Sequence, residues 1–325
     1  MKSYSIGIDM GATSIKLGLV DASQTIVNRK NIPVDHYQSP EEFFSAVERT
    51  VRNIFEESAV CAEDISGIGI GLPGCVDSVN GVVRDLTNMQ GWRGENIPIA
   101  ATIRERLGIS TRIDNDVNIM TIAEWHIGAG KGCKNLICCT LGTGVGGGLV
   151  LDGKLYRGST LTAGEIGHIP LFYMGEPCNC GNRGCLERYV GNAAIVARTL
   201  CILQERPNEG LIIRQLIESE DKQLTPKIIF DAAQKGDSVA CEIFRTTGEY
   251  IGVIFSGLVN TLNPEKIVVG GGVANAGNLV FDPIRETVSR YAMPVATEKL
   301  QIVPATLGDD AGIHGAALYG SGHDV

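Results

Sequence analysis

The stretch NLICCTLGTGVGGGLVLDGKLYRG, residues 135–158, holds five glycines within the eight positions 141–148, directly after an apolar run. A plain hairpin turn needs one or two glycines. Five imply that something approaches bare backbone closely, and phosphate oxygens, which accept from clustered N–H groups, are the first choice. The glycines lead into no Gly-Lys-Ser/Thr, so this is no Walker loop. The residues beyond the turn read as a strand rather than a helix, which excludes a dinucleotide-binding Gly-x-Gly fingerprint. Gly142, Thr143, Gly144 and Gly146 are the candidate phosphate contacts, and a side chain at Gly144 or Gly146 is expected to weaken binding of a phosphate-bearing ligand.

The same plan of strand, Gly/Thr turn and strand opens the chain. YSIGIDM (4–10) is rich in β-formers, and IKLGLVD (15–21) reads as its hairpin partner. The turn between them, within DMGATSIK, places Asp9, Gly11, Thr13 and Lys16 around a second candidate anion site, with Asp9 suited to hold a hydrated Mg²⁺. A third glycine turn, VGGGVA (269–274), ends a buried strand, and Gly270, Gly271 and Gly272 offer bare backbone to an adenine or ribose. The repeated plan suggests a loose internal duplication with its boundary near residue 118. Ser39, Pro40, Glu41 and Glu42 announce a helix that continues at helical spacing through Phe43, Val47, Val51 and Phe55. Helices are also expected before Gly108, over about 117–128, through 226–262, and in LGDDAGIHGAALYG. Strands alternating with helices define an α/β chain.

Composition narrows the function classes. Of 325 residues 44% are hydrophobic, enough for two domain cores. A net charge of −9 argues against nucleic acid or anionic membrane as partners. The opening MKSYSIGIDMG has neither an apolar h-region nor a cleavage site, and no segment has the apolar length of a membrane span, so a cytoplasmic protein is expected. Ten cysteines are then thiols rather than disulfides. Seven of them, scattered singly or paired at Cys138-Cys139, are expected as small buried hydrophobes.

The other three are crowded into EPCNCGNRGCLERYVG (176–191). Cys178, Cys180 and Cys185 supply three soft donors, and tetrahedral Zn²⁺ takes four. His168, ten residues upstream of Cys178, is the nearest histidine. A Cys₃His set closed by protein ligands is a structural zinc, and Gly181 and Gly184 allow the chain to fold tightly around it. Glu165 and Glu187 flank these ligands, so a loop shaped by zinc would also orient two carboxylates.

The three glycine turns, with GIGIGLPGCVD (67–77), DNDVN (114–118), GEIGH (164–168) and CNCGNRGCLE (178–187), resemble the ROK family of bacterial sugar kinases, of the glucokinase type. The resemblance runs from residue 6 to about 320. It implies the two-domain actin-like ATPase (ribonuclease H-like) fold, with a cleft between the domains. Residues 1–118, joined by a C-terminal helix at 308–325, would form one domain, and 119–307 a larger one with the zinc loop. It implies an ATP-dependent hexose kinase using Mg²⁺, most simply a glucokinase, with other hexoses or N-acetylhexosamines as alternative acceptors. Asn88, Asn115, Glu165, His168 and Glu187 would bind sugar hydroxyls, and Asp116 would take the proton of the attacking hydroxyl; on sequence alone Asp114 competes for that role. A homodimer is implied by the family. ROK repressors carry a helix-turn-helix ahead of the kinase-like body; here the first strand starts at residue 4, which argues for a kinase.

Overall fold

A computed structural model describes residues 3–11, 14–33, 39–86, 92, 96–220 and 223–323. The strands are β1 (Tyr4–Met10), β2 (Ser14–Asp21), β3 (Ile26–Pro33), β4 (Ile65–Leu72), β5 (Cys75–Asp77), β6 (Val82–Asp85), β7 (Thr111–Asn115), β8 (Leu136–Leu141), β9 (Val145–Leu151), β10 (Lys154–Leu155), β11 (Lys266–Gly270) and β12 (Gln301–Pro304). The helices are α1 (Pro40–Ser58), α2 (Ile99–Leu107), α3 (Asp116–His126), α4 (Glu187–Val190), α5 (Asn192–Glu205), α6 (Leu211–Glu220), α7 (Pro226–Gln234), α8 (Ser238–Leu262), α9 (Asn278–Tyr291), α10 (Pro294–Thr297) and α11 (Ala311–Gly320). Two five-stranded sheets form, in the orders β3-β2-β1-β4-β7 and β10-β9-β8-β11-β12. Each therefore runs as three consecutive strands followed by two later ones, the same plan twice. Among the described residues no helix is long and apolar enough to cross a membrane.

Contacts group the chain into two compact units. The first holds residues 1–134, 148–163 and 306–325, and the second 135–147 and 164–305. The expected break at 118 thus falls inside the first unit, because α3 packs on α11 and β4 there.

In the first unit, β1 pairs antiparallel with β2 and parallel with β4, and β4 pairs parallel with β7. Alternation sends Ile6, Ile8 and Met10 into a core shared with Phe43, Val47 and Ile103 of α1 and α2. The opposite face carries Gly7 and Gly69, paired in register, and α11 lies directly on them. A Cβ on Gly7 would collide with the Ile313 carbonyl, and one on Gly69 with that of Ala316. Small residues in both partners are what allow this approach. Helix α1 begins as its sequence announces: Ser39 accepts from Glu42 N, and the Glu42 carboxylate returns to Ser39 N.

In the second unit, β8, β11 and β12 are parallel neighbours, with Gly270 opposite Thr140. Helix α8, N-capped by Asp237 at Ala240 N, packs along α9. The expectation for the seven scattered cysteines needs correction. Cys138 and Cys139, in β8, are buried, but Cys61 and Cys201 are exposed and Cys75, Cys133 and Cys241 are intermediate. Cys61 caps a short helical turn with its thiol 3.0 Å from Asp64, and Cys201 lies on an open face of α5 beside Glu205. All ten are free thiols.

Candidate active site

Parallel pairing carries Asp9, Gly71 and Asp114 to one register level, so the two acids stand at the carboxyl ends of β1 and β7, on either side of β4. In the first turn Gly11 N donates to Ser14 O at 3.0 Å, and Lys16 pairs with Asp9 across the hairpin. Thr13 lies outside the described residues. The Asp9 carboxylate occupies the space that Gly312, at the start of α11, leaves open. Burial pushes the Asp9 carboxyl above its usual range; Lys16 pulls it down and Asp309 adds to the rise. Asp309 is not among the sequence-derived candidates. Its signal is the Asp-Asp of LGDDAG, legible there only as helix-start acids.

A raised folded-state pKa means that the folded chain binds this proton more tightly than the unfolded one. Stability from Asp9 is therefore present below the ordinary carboxylate range and lost as pH rises through the folded value. Asp9→Asn removes this ionisation at neutral pH. The ligand-free variant is expected to melt higher than wild type by calorimetry, while kcat/KM for ATP falls roughly tenfold or more.

At the tip of β7 three adjacent side chains take three different roles. Asp114 is buried; its Oδ1 accepts from Asn115 N at 2.7 Å and Asn118 Nδ2 at 2.9 Å, and its Oδ2 from Arg157 Nε at 2.7 Å. Both its oxygens are occupied by structure. Asn115 is the N-cap of α3: its Oδ1 accepts from Val117 N and Asn118 N, leaving Nδ2, 3.4 Å from Gly74 O, as the group able to face a ligand. Asp116 begins α3, half-buried, with Oδ1 3.0 Å from Val117 N. Asn88 lies outside the described residues.

The second unit brings the middle and last glycine turns together. Gly271, in the left-handed region at φ 88°, sits where any Cβ would collide with the Leu141 backbone at the end of β8. Gly142 and Gly272 differ: a side chain at either would enter open space. Packing does not demand glycine at those two positions, and a close ligand would. The sequence points Gly144 at phosphate, but a Cβ there points at the Glu187 carboxylate. Glu187 Oε2 accepts from Val145 N at 3.0 Å, so this carboxylate is anchored to the glycine turn itself. The two positions therefore separate experimentally. Gly142→Val should raise KM for ATP with little change for the co-substrate, whereas Gly144→Val should raise both, by displacing Glu187. Initial-rate kinetics on folded variants reads the difference.

His168, Cys178, Cys180 and Cys185 converge with their donor atoms all within 4.8 Å of one another. Cys178 Sγ lies 3.6 Å from His168 Nδ1, and Cys180 Sγ lies 3.7 Å from Cys185 Sγ. Metal–sulfur bonds of about 2.3 Å and metal–nitrogen bonds of about 2.0 Å in a tetrahedron give edges near 3.8 and 3.5 Å, so the donor set fits such an ion. Burial and the two neighbouring thiols push Cys185 upward, and a bound cation would reverse that balance. The loop doubles back as its glycines suggest: Gly184 has φ 73° and its N donates to Glu176 O at 2.8 Å. His168 Nε2 stands 4.0 Å from the exposed Glu165 carboxylate. On the other side, Gly167 packs against the Val145 carbonyl, so the metal loop and the glycine turn share a wall.

Glycine turns at the ends of parallel strands in both units, acids at strand tips and a closed Cys₃His cluster define a phosphate-binding α/β protein of the actin-like ATPase fold. The chain belongs to the ROK family, whose model matches residues 5–321. It is similar to the glucokinase of Halalkalibacterium halodurans, 36% identical over 96% of this chain and 93% of that one. The solved structure of a ROK glucokinase from Streptomyces griseus, in complex with glucose and AMPPNP, is 32% identical and superposes with a TM-score of 0.81 over 98% of this chain and 99% of that one. A ROK-family transcriptional regulator, a homologue of the Escherichia coli MLC protein, superposes with a TM-score of 0.85 at 25% identity, over 98% of this chain and 78% of the regulator.

Proposed function

We propose that the chain is an ATP-dependent hexose kinase acting on glucose, with Asp116 as general base. The observation that carries this is the division of labour at the β7 tip: Asp114 is consumed by buried hydrogen bonds, while Asp116, the first residue of α3, is half-buried with its Oδ1 on Val117 N. The glucose and AMPPNP held by the Streptomyces griseus relative supply the substrate classes. Asp116 takes the proton of the sugar 6-hydroxyl as that oxygen bonds to the γ-phosphorus and the bond to ADP breaks. Asn88, Asn115, Glu165, His168 and Glu187 hold the remaining hydroxyls and fix the attacking oxygen in line. Gly11, Thr13, Lys16, Gly142, Thr143, Gly144 and Gly146 present donors to the phosphates, and Gly270, Gly271 and Gly272 give the nucleoside a flat backbone wall. Bound Mg²⁺ neutralises phosphate charge, and Asp9 is the residue placed to hold its water shell.

The metal at His168, Cys178, Cys180 and Cys185 is zinc in this proposal, because three thiolates and one imidazole match its preference and leave no open position for water chemistry. A cytoplasmic homodimer without nucleic-acid or membrane partners completes it. The deciding experiment is an ATP-coupled assay across glucose, mannose, fructose, allose and the N-acetylhexosamines. Highest kcat/KM with glucose is expected. Highest kcat/KM with N-acetylmannosamine or N-acetylglucosamine would move the assignment to an N-acetylhexosamine kinase. No turnover with any sugar would favour a sugar-responsive regulator.

A further inference from the structure

A cavity of 440 Å³ opens in the first unit beside the start of β7, away from the strand tip. Arg104 of α2, Arg112 of β7 and Arg157, after β10, line it, with Asn80 and Gly81 of the β5–β6 turn and Tyr319 of α11. The cavity's walls are firmly held. Asp77 accepts from Asn80 N and Nδ2, each at 3.0 Å, and from Arg84, and Ala100 N of α2 donates to Gly81 O at 3.1 Å. The guanidinium carbons of Arg112 and Arg157 lie 5.5 and 5.4 Å from the centre of the Tyr319 ring, which orients both planes. No carboxylate is among the described lining residues.

Three guanidinium groups from three separate parts of the chain converge on this cavity. Asp114 pairs with one of them, Arg157, and the described lining itself holds three arginines and no carboxylate, so it presents positive rather than negative charge to a ligand. Arginine's planar fork matches phosphate oxygens in pairs. The volume falls within the roughly 300–1,000 Å³ of small-molecule sites, which leaves room for a carrier beyond the phosphate itself.

We propose that this cavity is a binding site for a phosphate dianion, free or carried on a small metabolite. Arg157 also links it to the strand tip. Its Nε donates to Asp114, whose other oxygen holds Asn115 N and Asn118, so a ligand that draws on the Arg157 guanidinium loosens the support beneath Asn115 and Asp116. Occupancy therefore changes how the tip meets its substrate. That last step rests on the kinase proposal; the binding itself does not.

Equilibrium titration calorimetry with inorganic phosphate and with glucose 6-phosphate, without ATP or sugar, tests the site on wild type, Arg104→Glu and Arg112→Ala. Both side chains are exposed, and melting curves check that each variant folds. Wild type should bind at least one probe in the millimolar range or tighter, and each variant should weaken it roughly tenfold or more. Tighter binding of the sugar phosphate assigns the site to a carried phosphate, and tighter or equal binding of inorganic phosphate assigns it to the free ion. No binding to wild type, or equal binding to all three proteins, overturns the proposal; the latter result would put the ligand at the active site instead. Saturating the bound probe should also shift the wild-type KM for glucose while leaving that of Arg104→Glu unchanged, its basal activity being normal. An unaltered wild-type KM despite measured binding would overturn the link to the tip.

Discussion

Asp116→Ala is expected to lower kcat by about 10²–10⁴-fold, the range that a positioned general base supplies. The attacking hydroxyl then has no acceptor for its proton, yet Asn115, Glu165 and Glu187 still hold the sugar, so binding of glucose should fall far less than turnover. Stopped-flow or steady-state kinetics with calorimetric sugar binding separates the two. The control is Asp114→Ala. Its carboxylate is buried and accepts from Arg157 Nε, Asn115 N and Asn118 Nδ2, so its loss removes a buried ion pair and should destabilise the fold by about 3–5 kcal/mol. A variant at 116 that keeps more than about a tenth of wild-type kcat would remove the base role from this residue.

Removing the proposed metal should have the second large effect, on sugar binding rather than on turnover. Between its buried ends at Ile166 and Leu186 the loop exposes Tyr173 and Met174, and it is tied down by the Phe172 ring on Tyr189 and by Glu176 N donating to Tyr189 at 2.8 Å. The donor atoms lie within 4.8 Å of one another, and in the proposed zinc site the metal bonds, rather than a packed core, would hold that shape. Stripping it with a chelator should disorder roughly residues 165–187, in the way that metal-free structural sites unfold. Glu165 and Glu187 belong to this segment, so affinity for glucose should collapse although neither is altered. Nucleotide affinity should fall far less, because Gly142 and Gly272 lie outside this segment and face open space. Cys180→Ser should lower metal content and sugar binding together. Elemental analysis of protein prepared without chelator or affinity tag should find one zinc per chain. A metal-free protein that binds glucose normally would sink this account.

Much of the site is legible locally. The helix of α1, its Ser39 cap, the Gly108 stop and the β1 and β4 strands come from spacing and from residues that satisfy backbone groups within a turn of themselves. The metal ligands are legible for a similar reason: three thiols within eight positions can meet only if the chain folds back, and glycine permits it. Local spacing fails where one pattern serves two roles. Asp114 and Asp116 are equivalent in DND, and Gly142 and Gly144 are equivalent in LGTG.

The alternation of strand and helix, the three glycine turns, the cluster of His168 with Cys178, Cys180 and Cys185, and the family were all set by the sequence alone. Tertiary structure decided the rest. Arg157, 43 residues from Asp114, ties that acid into a buried ion pair. Glu187, 42 residues from Val145, accounts for the glycine at 144. Arg104, Arg112, Arg157 and Tyr319 become one cavity only when α2, β7, the segment after β10 and α11 pack together. Periodicity records whether a residue faces core or solvent, and caps record hydrogen bonds within a turn. A partner forty or two hundred residues away leaves no mark in either pattern, so its identity appears only once the strands are paired and the helices laid on them.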